Sequence, residues 1–294
     1  MTYISDELLD ELRATGDAVA DDCVLAILGG GLEPAAVGEL IAELNERFPR
    51  HPAIDSYLVA TGRLPDWTDV AAVGRGQALF ERESAAVMTV LGFGALPESY
   101  CNAAVARELN RHSMLGVDPL RRVRRTAEFV SSVMSPGGLG DGADGRRAIQ
   151  RVRLLHAALR LSGEPGTRPE SPSGEARLNQ EDLAATLLTL SWMTAIRLPR
   201  VGVQVDARTL YDYAHSWNVA GSLLGIDERL LPASADAAAE LAEAMRRRRY
   251  HATPEGAALA NSLLDIEEVW APAGDLRALV RQLLGHELAA MIAV

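Results

Sequence analysis

The chain has 294 residues, 48% of them hydrophobic but only 5% aromatic, with 29 basic against 40 acidic side chains for a formal net charge of −11. That length supports a core without covalent staples, and the acidic balance argues against nucleic acid or an anionic membrane as partner. Cys23 and Cys101 lie far apart and form neither a disulfide framework nor a zinc spacing, which fits a reducing, cytoplasmic setting. The first seven residues include Asp6 and Glu7 where an export signal would carry positive charge, and no apolar run nears the ~18 residues of a membrane span. The expectation is a soluble protein, neither exported nor embedded.

Ala and Leu far outweigh β-branched alternation, and no stretch reads as a strand, so the fold class expected is all-α. Helix starts are marked in chain order by Ser5 before Asp6, Glu33-Pro34, His51-Pro52, Thr68 before Asp69, Asp118-Pro119, Asn179 with Asp182, Asp206, and Thr253-Pro254. Stops follow at Gly29-Gly30-Gly31, Gly62, Gly116, Gly163 and Gly225, in the manner of left-handed C-terminal caps. About ten helices result on this reading. Ser135 to Gly142 is a Gly-rich connector, and Glu164 to Gly174, rich in Pro and Ser, is a loop by composition. The two bracket the helix from Arg146 to Leu161, which they expose to a ligand cavity rather than dividing the chain, so 1–294 reads as a single helical domain. No solenoid-length repeat is present.

Several motifs can be set aside. Gly74-Arg75-Gly76 lacks the third glycine of a dinucleotide fingerprint and lies in a helical pattern, where helix packing is its expected use. There is no phosphate-loop lysine, no Gly-x-Ser-x-Gly elbow and no His-Glu-x-x-His. The four arginines from Arg246 to Arg249 end a helix and read as a solvated cap that offsets the C-terminal dipole. His51, His112, His215, His251 and His286 have no ligand spacing between them and read as surface or capping groups.

His156 differs. It lies four residues after Val152, seven after Ile149 and three before Leu159, on the apolar stripe of its helix. Arg153 and Arg160 fall three before and four after it, one turn to either side, and cations beside an apolar stripe require anions. Haem satisfies all three residues at once: a neutral imidazole on the iron, apolar side chains over the macrocycle, and arginines on the two propionates. The alternative is a core histidine bonded to a carbonyl, with both arginines reaching solvent. With no Cys-x-x-Cys-His attachment site, any haem would be held without covalent bonds.

A second helix, Pro119 to Met134, aligns Arg122, Arg125, Thr126 and Phe129 at offsets of three, four and seven beside an apolar face of Leu120, Val123, Ala127 and Val130. Such a mixed face suits a pocket wall. A third, Gln180 to Arg197, places Thr186, Thr189, Leu190 and Met193 on one side, where the threonines either face a pocket or bond back to the helix.

Taken in order, these blocks, followed by Tyr213-Ala-His-Ser-Trp217, Leu224-Gly225-Ile226 and Leu231-Pro232, and preceded by Leu64-Pro-Asp-Trp67, Arg75-Gly76 and Leu96-Pro97-Glu98, resemble the latex-clearing-protein and mycophenolic-acid-cleavage family of b-type haem oxygenases. The resemblance covers residues 64–232. It implies a globin-like helical core around haem b, with extra helices at both ends. His156 takes the place of the proximal ligand to iron, with Arg153 and Arg160 flanking it, while Arg122 and Thr126 match the distal arginine and threonine and Thr186 a further threonine near the haem. In rubber-cleaving members dioxygen cleaves an isoprenoid carbon–carbon double bond into two carbonyl products.

Where rubber oxygenases carry a distal lysine this chain has Arg125, whose guanidinium stays protonated and cannot coordinate iron. For a distal glutamate base, Glu98 and Glu108 stand nearest the matching blocks. The functional expectation is a cytoplasmic haem-dependent oxygenase acting on a small apolar metabolite, by oxidative C=C cleavage or another oxygen insertion in a biosynthetic pathway. Arg122, Arg125 and Thr126 would polarise dioxygen or peroxide or orient the substrate. The alternatives are a haem peroxidase or peroxygenase, and a non-catalytic haem-binding sensor or carrier.

Overall fold

A computed structural model describes residues 4–112, 119–162, 174–267 and 273–294. Among them every regular element is helical, and the β-bridge of Asn102 with Tyr250 belongs to no strand. The α-helices are α1 (Asp6–Arg13), α2 (Ala18–Ile27), α3 (Pro34–Leu44), α4 (Pro52–Ala60), α5 (Val70–Arg82), α6 (Ser84–Val90), α7 (Leu96–Ser99), α8 (Ala103–His112) and α9 (Pro119–Met134), followed by α10 (Asp144–Leu161), α11 (Gln180–Leu190), α12 (Trp192–Ala195), α13 (Ala207–Leu223), α14 (Ala235–Arg249), α15 (Pro254–Glu267), α16 (Ala273–Leu284) and α17 (His286–Met291). A π-turn over Leu91–Ala95 joins α6 to α7.

Local chemistry explains most of the boundaries. The side chains of Ser5, His51, Asn179 and Asp206 accept backbone N–H groups of the first turns of α1, α4, α11 and α13. Pro34, Pro119 and Pro254 open α3, α9 and α15 as expected. Asp69 is itself the cap of α5, accepting from Ala71 and Ala72, so that helix begins one residue later than the sequence suggests. Gly29, Gly30 and Gly225 have positive φ beyond helix ends; Gly116, Gly163 and all but the last residue of the 164–174 loop lie outside the described residues. The helices outnumber the ten or so expected because α6, α7, α12 and α17 run only four to seven residues, too short for a periodicity to register. The stretch from Gln180 to Arg197 is also two helices, divided at Ser191 (φ −94°, ψ −97°).

Two hydrophobic clusters organise the chain. The larger gathers Val73, Val87, Val130, Ile149, Leu187, Trp217, Leu241 and Leu263 from α5 through α15, and the smaller packs α2, α3 and α4 against Leu154, Ala157 and Ala158 of α10. α5 and α13 cross closely: a Cβ on Gly76 would stand 2.3 Å from Ser216 Oγ and 2.5 Å from the Asp212 carbonyl oxygen, so Gly76 serves helix packing as expected.

The arginine run departs from its expected role. Arg246 reaches Glu98 at 2.6 Å, Arg248 bonds Glu181 and Asp6, and Arg249 pairs with Glu175 and Glu181, while Arg247 alone remains largely exposed. Three of the four therefore clamp α14 to α1, α7 and α11 instead of forming a solvated cap. Nor is His215 a surface group: it is 7% exposed and its Nε2 accepts the Asp69 N–H at 3.0 Å.

Candidate functional site

α10 is fixed from both ends and on two sides. At its start a Cβ on Gly145 would stand 2.4 Å from the Ser132 carbonyl oxygen, which lets α9 and α10 approach closely. Buried Arg146 donates to the carbonyls of Leu139 in the Gly-rich connector (2.6 and 3.0 Å) and of Gly62 beyond α4 (2.6 Å). Tyr57 Oη donates to the Gln150 carbonyl at 2.8 Å, and Gln150 returns a bond to Leu58 at 3.0 Å.

On this helix Gly145, Arg146, Ile149, Gln150, Leu154, Ala157, Ala158 and Arg160 are buried, whereas Val152, His156 and Leu159 are half-buried. The His156 Nδ1 atom is nevertheless buried, with no hydrogen-bond partner among the described residues. Burial, reinforced by the nearby Arg160 cation and opposed by Asp17, pushes the His156 pKa down to about 4, so the imidazole is neutral at pH 7. A core histidine would offer its nitrogens to a carbonyl. This one carries an orphaned buried nitrogen and no positive charge, the state in which imidazole ligates a metal.

The flanking guanidiniums are already answered by carboxylates. Arg153 holds Asp17 in a two-pronged pair, Nε to Oδ2 at 2.6 Å and Nη2 to Oδ1 at 2.9 Å, and its Nη1 donates to the Leu223 carbonyl at 3.1 Å. Arg160 holds Asp21 at 2.6 Å and donates to the Leu178 carbonyl at 3.0 Å. Neither reaches solvent as the bland alternative required. Gly225, φ +80°, admits the first pair, since a Cβ there would sit 2.5 Å from Asp17 Oδ2 and 2.6 Å from Arg153 Cζ. The fit to haem is therefore good at the imidazole, while pairing these arginines with propionates requires Asp17 or Asp21 to release them.

α9 lies against α10 and brings Thr126 and Phe129, both half-buried, into the neighbourhood of its wall. Arg125 on the same helix turns to the end of α3, donating to Asn45 Oδ1 at 2.6 Å and pairing with Glu46. Arg122 is placed on α9 by the backbone, but its side chain lies outside the described residues. Thr186 donates to the Asp182 carbonyl at 3.0 Å and Thr189 to that of Thr186 at 2.8 Å, the back-bonded alternative. α11, which carries them, packs chiefly on α1, α7, α12, α13 and α14. Half-buried apolar side chains, Val123 and Phe129 on α9 and Leu183 and Leu190 on α11, pack against the larger cluster. Of the glutamates, Glu98 is ion-paired to Arg246 and Arg197, and Glu108 to Arg177 at 2.6 Å. Asp17 and Asp21 went unnoticed in the sequence, where only the unmet charge of the arginines pointed to them.

Residues 79–294 match the family described as ER-bound oxygenase mpaB/B'/Rubber oxygenase, catalytic domain, and the chain belongs to that family. The match extends past Pro232 to the last residue, beyond the segment in which the motifs carry the resemblance. A rubber oxygenase from Streptomyces sp. (strain K30) is 27% identical over 260 residues, covering 85% of this chain and 63% of that protein. The chain thus spans less than two thirds of that relative's length. A solved structure of latex clearing protein in its closed state matches with a TM-score of 0.75 at 25% identity, over 94% of this chain and 76% of the other. No helix among the described residues is long and apolar enough to cross a membrane.

Proposed function

We propose that the protein is a cytoplasmic, haem b-dependent oxygenase acting on a small apolar metabolite, by oxidative C=C cleavage or another oxygen insertion. The observation that carries this reading is His156: in a chain of an oxygenase family, a neutral imidazole with a buried, unpartnered nitrogen on the half-buried line of α10. When bound, haem supplies the activation of dioxygen or peroxide that no protein side chain provides. His156 ligates without first losing a proton, because burial has already removed it at neutral pH. Arg153 and Arg160 hold the ligand helix to α2 through Asp17 and Asp21, and would answer the acid groups of the macrocycle where those aspartates release them. Arg122 and Thr126 on α9 orient oxidant and substrate by donating hydrogen bonds, Arg125 fixes α9 to α3, and Thr186 lies on the α11 wall. The apolar side chains of α9 and α11 exclude water and select an apolar substrate.

The test is reconstitution with haem followed by aerobic incubation with a short soluble isoprenoid. Oxygen uptake with two carbonyl products or an oxygenated product is expected. Reversible oxygen or carbon monoxide binding without consumption of a co-substrate would assign a sensor or carrier instead, and turnover with hydrogen peroxide alone would assign peroxygenase chemistry.

A further inference from the structure

A cleft of about 500 Å³ lies between α13, the α11–α12 junction and the segment leading into α14, within the range of small-molecule sites. No residue of α9 or α10 lines it, so it is separate from the wall that carries His156. Its walls are aromatic. Trp67 and Tyr211 are 39% and 43% exposed, large surfaces to leave in water, and Trp192 adds a third ring. The imidazole of His215 stacks on Tyr211, with centroids 5.5 Å apart and planes at 19°, and meets Trp67 edge-on at 5.7 Å.

Two buried polar side chains on one face of α13 complete the cleft. His215 uses Nε2 to accept the Asp69 N–H. Burial holds its pKa below the usual imidazole value, so the ring is neutral and its proton sits on Nδ1, for which no partner exists among the described residues. Three residues on, Asn218, which lines the cleft, donates Nδ2–H to the Pro232 carbonyl at 2.8 Å, and its Oδ1 accepts nothing among the described residues. A donor and an acceptor without a protein partner among the described residues, both on side chains only 7% exposed that line the cleft, are held in fixed positions and open to a bound molecule. Among the lining residues Glu228 alone is charged, and its Oε1 accepts the Trp67 Nε1–H at 3.0 Å; an anion finds no counter-charge there.

We propose that this cleft binds a small neutral aromatic molecule bearing a hydroxyl group, its ring against Trp67, Trp192 and Tyr211 and its hydroxyl between His215 Nδ1 and Asn218 Oδ1. A hydroxyl alone among simple neutral oxygen groups both accepts from the first and donates to the second. The site is independent of the oxygenase reading and of haem.

Titration of the full chain with 2-naphthol by calorimetry tests it. One saturable site is expected, with 2-naphthalenesulfonate, the same ring carrying an anion, binding at least about tenfold more weakly. His215→Phe, which keeps the ring stack and removes the donor, is expected to weaken 2-naphthol about tenfold. Ala207→Trp, at an exposed position on the mouth, is expected to block binding without touching the core and serves if His215→Phe misfolds. His156→Ala is expected to leave the affinity unchanged. Absence of saturable binding, equal affinity for the sulfonate, unchanged affinity in both cleft variants, or a loss in His156→Ala would overturn the proposal.

Discussion

At His156 the competition between solvation and ligation is set by burial. Because its folded pKa is about 4 and the unperturbed value 6.5, the unfolded chain takes up a proton between those limits while the folded chain does not. The haem-free protein therefore loses stability as pH falls from 6.5 toward 4, by up to about 3 kcal/mol from this group, and none of that loss occurs above pH 7. Urea unfolding at pH 7 and pH 4.5 checks it: His156→Leu should show a shallower decline than wild type, and an equal decline would place the proton elsewhere. The neighbouring pair behaves oppositely under substitution. Removing the charge in Asp17→Asn leaves Arg153 buried without its anion and should cost about 3 kcal/mol in equilibrium unfolding; a loss within error of zero would mean that Arg153 finds water instead. The need for anions near Arg153 and Arg160 is legible from helix spacing alone. Their identity is not, because Asp17 and Asp21 are supplied from 136 and 139 residues away and nothing local marks them.

Helix α10 is the element on which the site depends, gripped by the small cluster on one side and by α9 on another. Its junction with α13 closes over Gly225, where positive φ and the absence of a Cβ coincide with the Arg153–Asp17 pair. Gly225→Ala should lower the urea midpoint by the equivalent of about 1–2 kcal/mol from backbone strain alone, and more once the pair is displaced; an unchanged midpoint would show that the turn relaxes freely. Capped starts such as Ser5, Asn179 and Asp206 are readable because a cap is a short-range hydrogen bond encoded within three residues. The division of α11 from α12 is not, since Ser191 carries no helix-stopping signal of the Gly or Pro kind. The arginine run failed for the same reason as the aspartates: the carboxylates that draw Arg246, Arg248 and Arg249 inward come from α1, α7, α11 and the segment before it.

Across the whole molecule the N-terminal helices are part of the site's foundation, although the family match begins at residue 79. α2 supplies both counter-ions of α10, and buried Arg13 of α1 bonds Glu181 and Asp182 at 3.0 and 3.1 Å while Glu181 also pairs with Arg248. A chain beginning at Leu64 should consequently unfold at lower urea than the full protein and retain less haem; identical midpoints by circular dichroism would reduce the N-terminal helices to ornament. The ordered motifs made the family legible because their order and spacing are written in the chain itself, whereas the cleft on α13 was hidden, its histidine reading as one polar residue among many. The most direct test is the absorption spectrum of the protein mixed with haem, oxidised and then dithionite-reduced, for wild type and His156→Ala. A one-to-one Soret band that shifts on reduction in wild type and is lost or reverts to free haem in the variant is predicted; the same bands and stoichiometry in both would contradict His156 as the iron ligand.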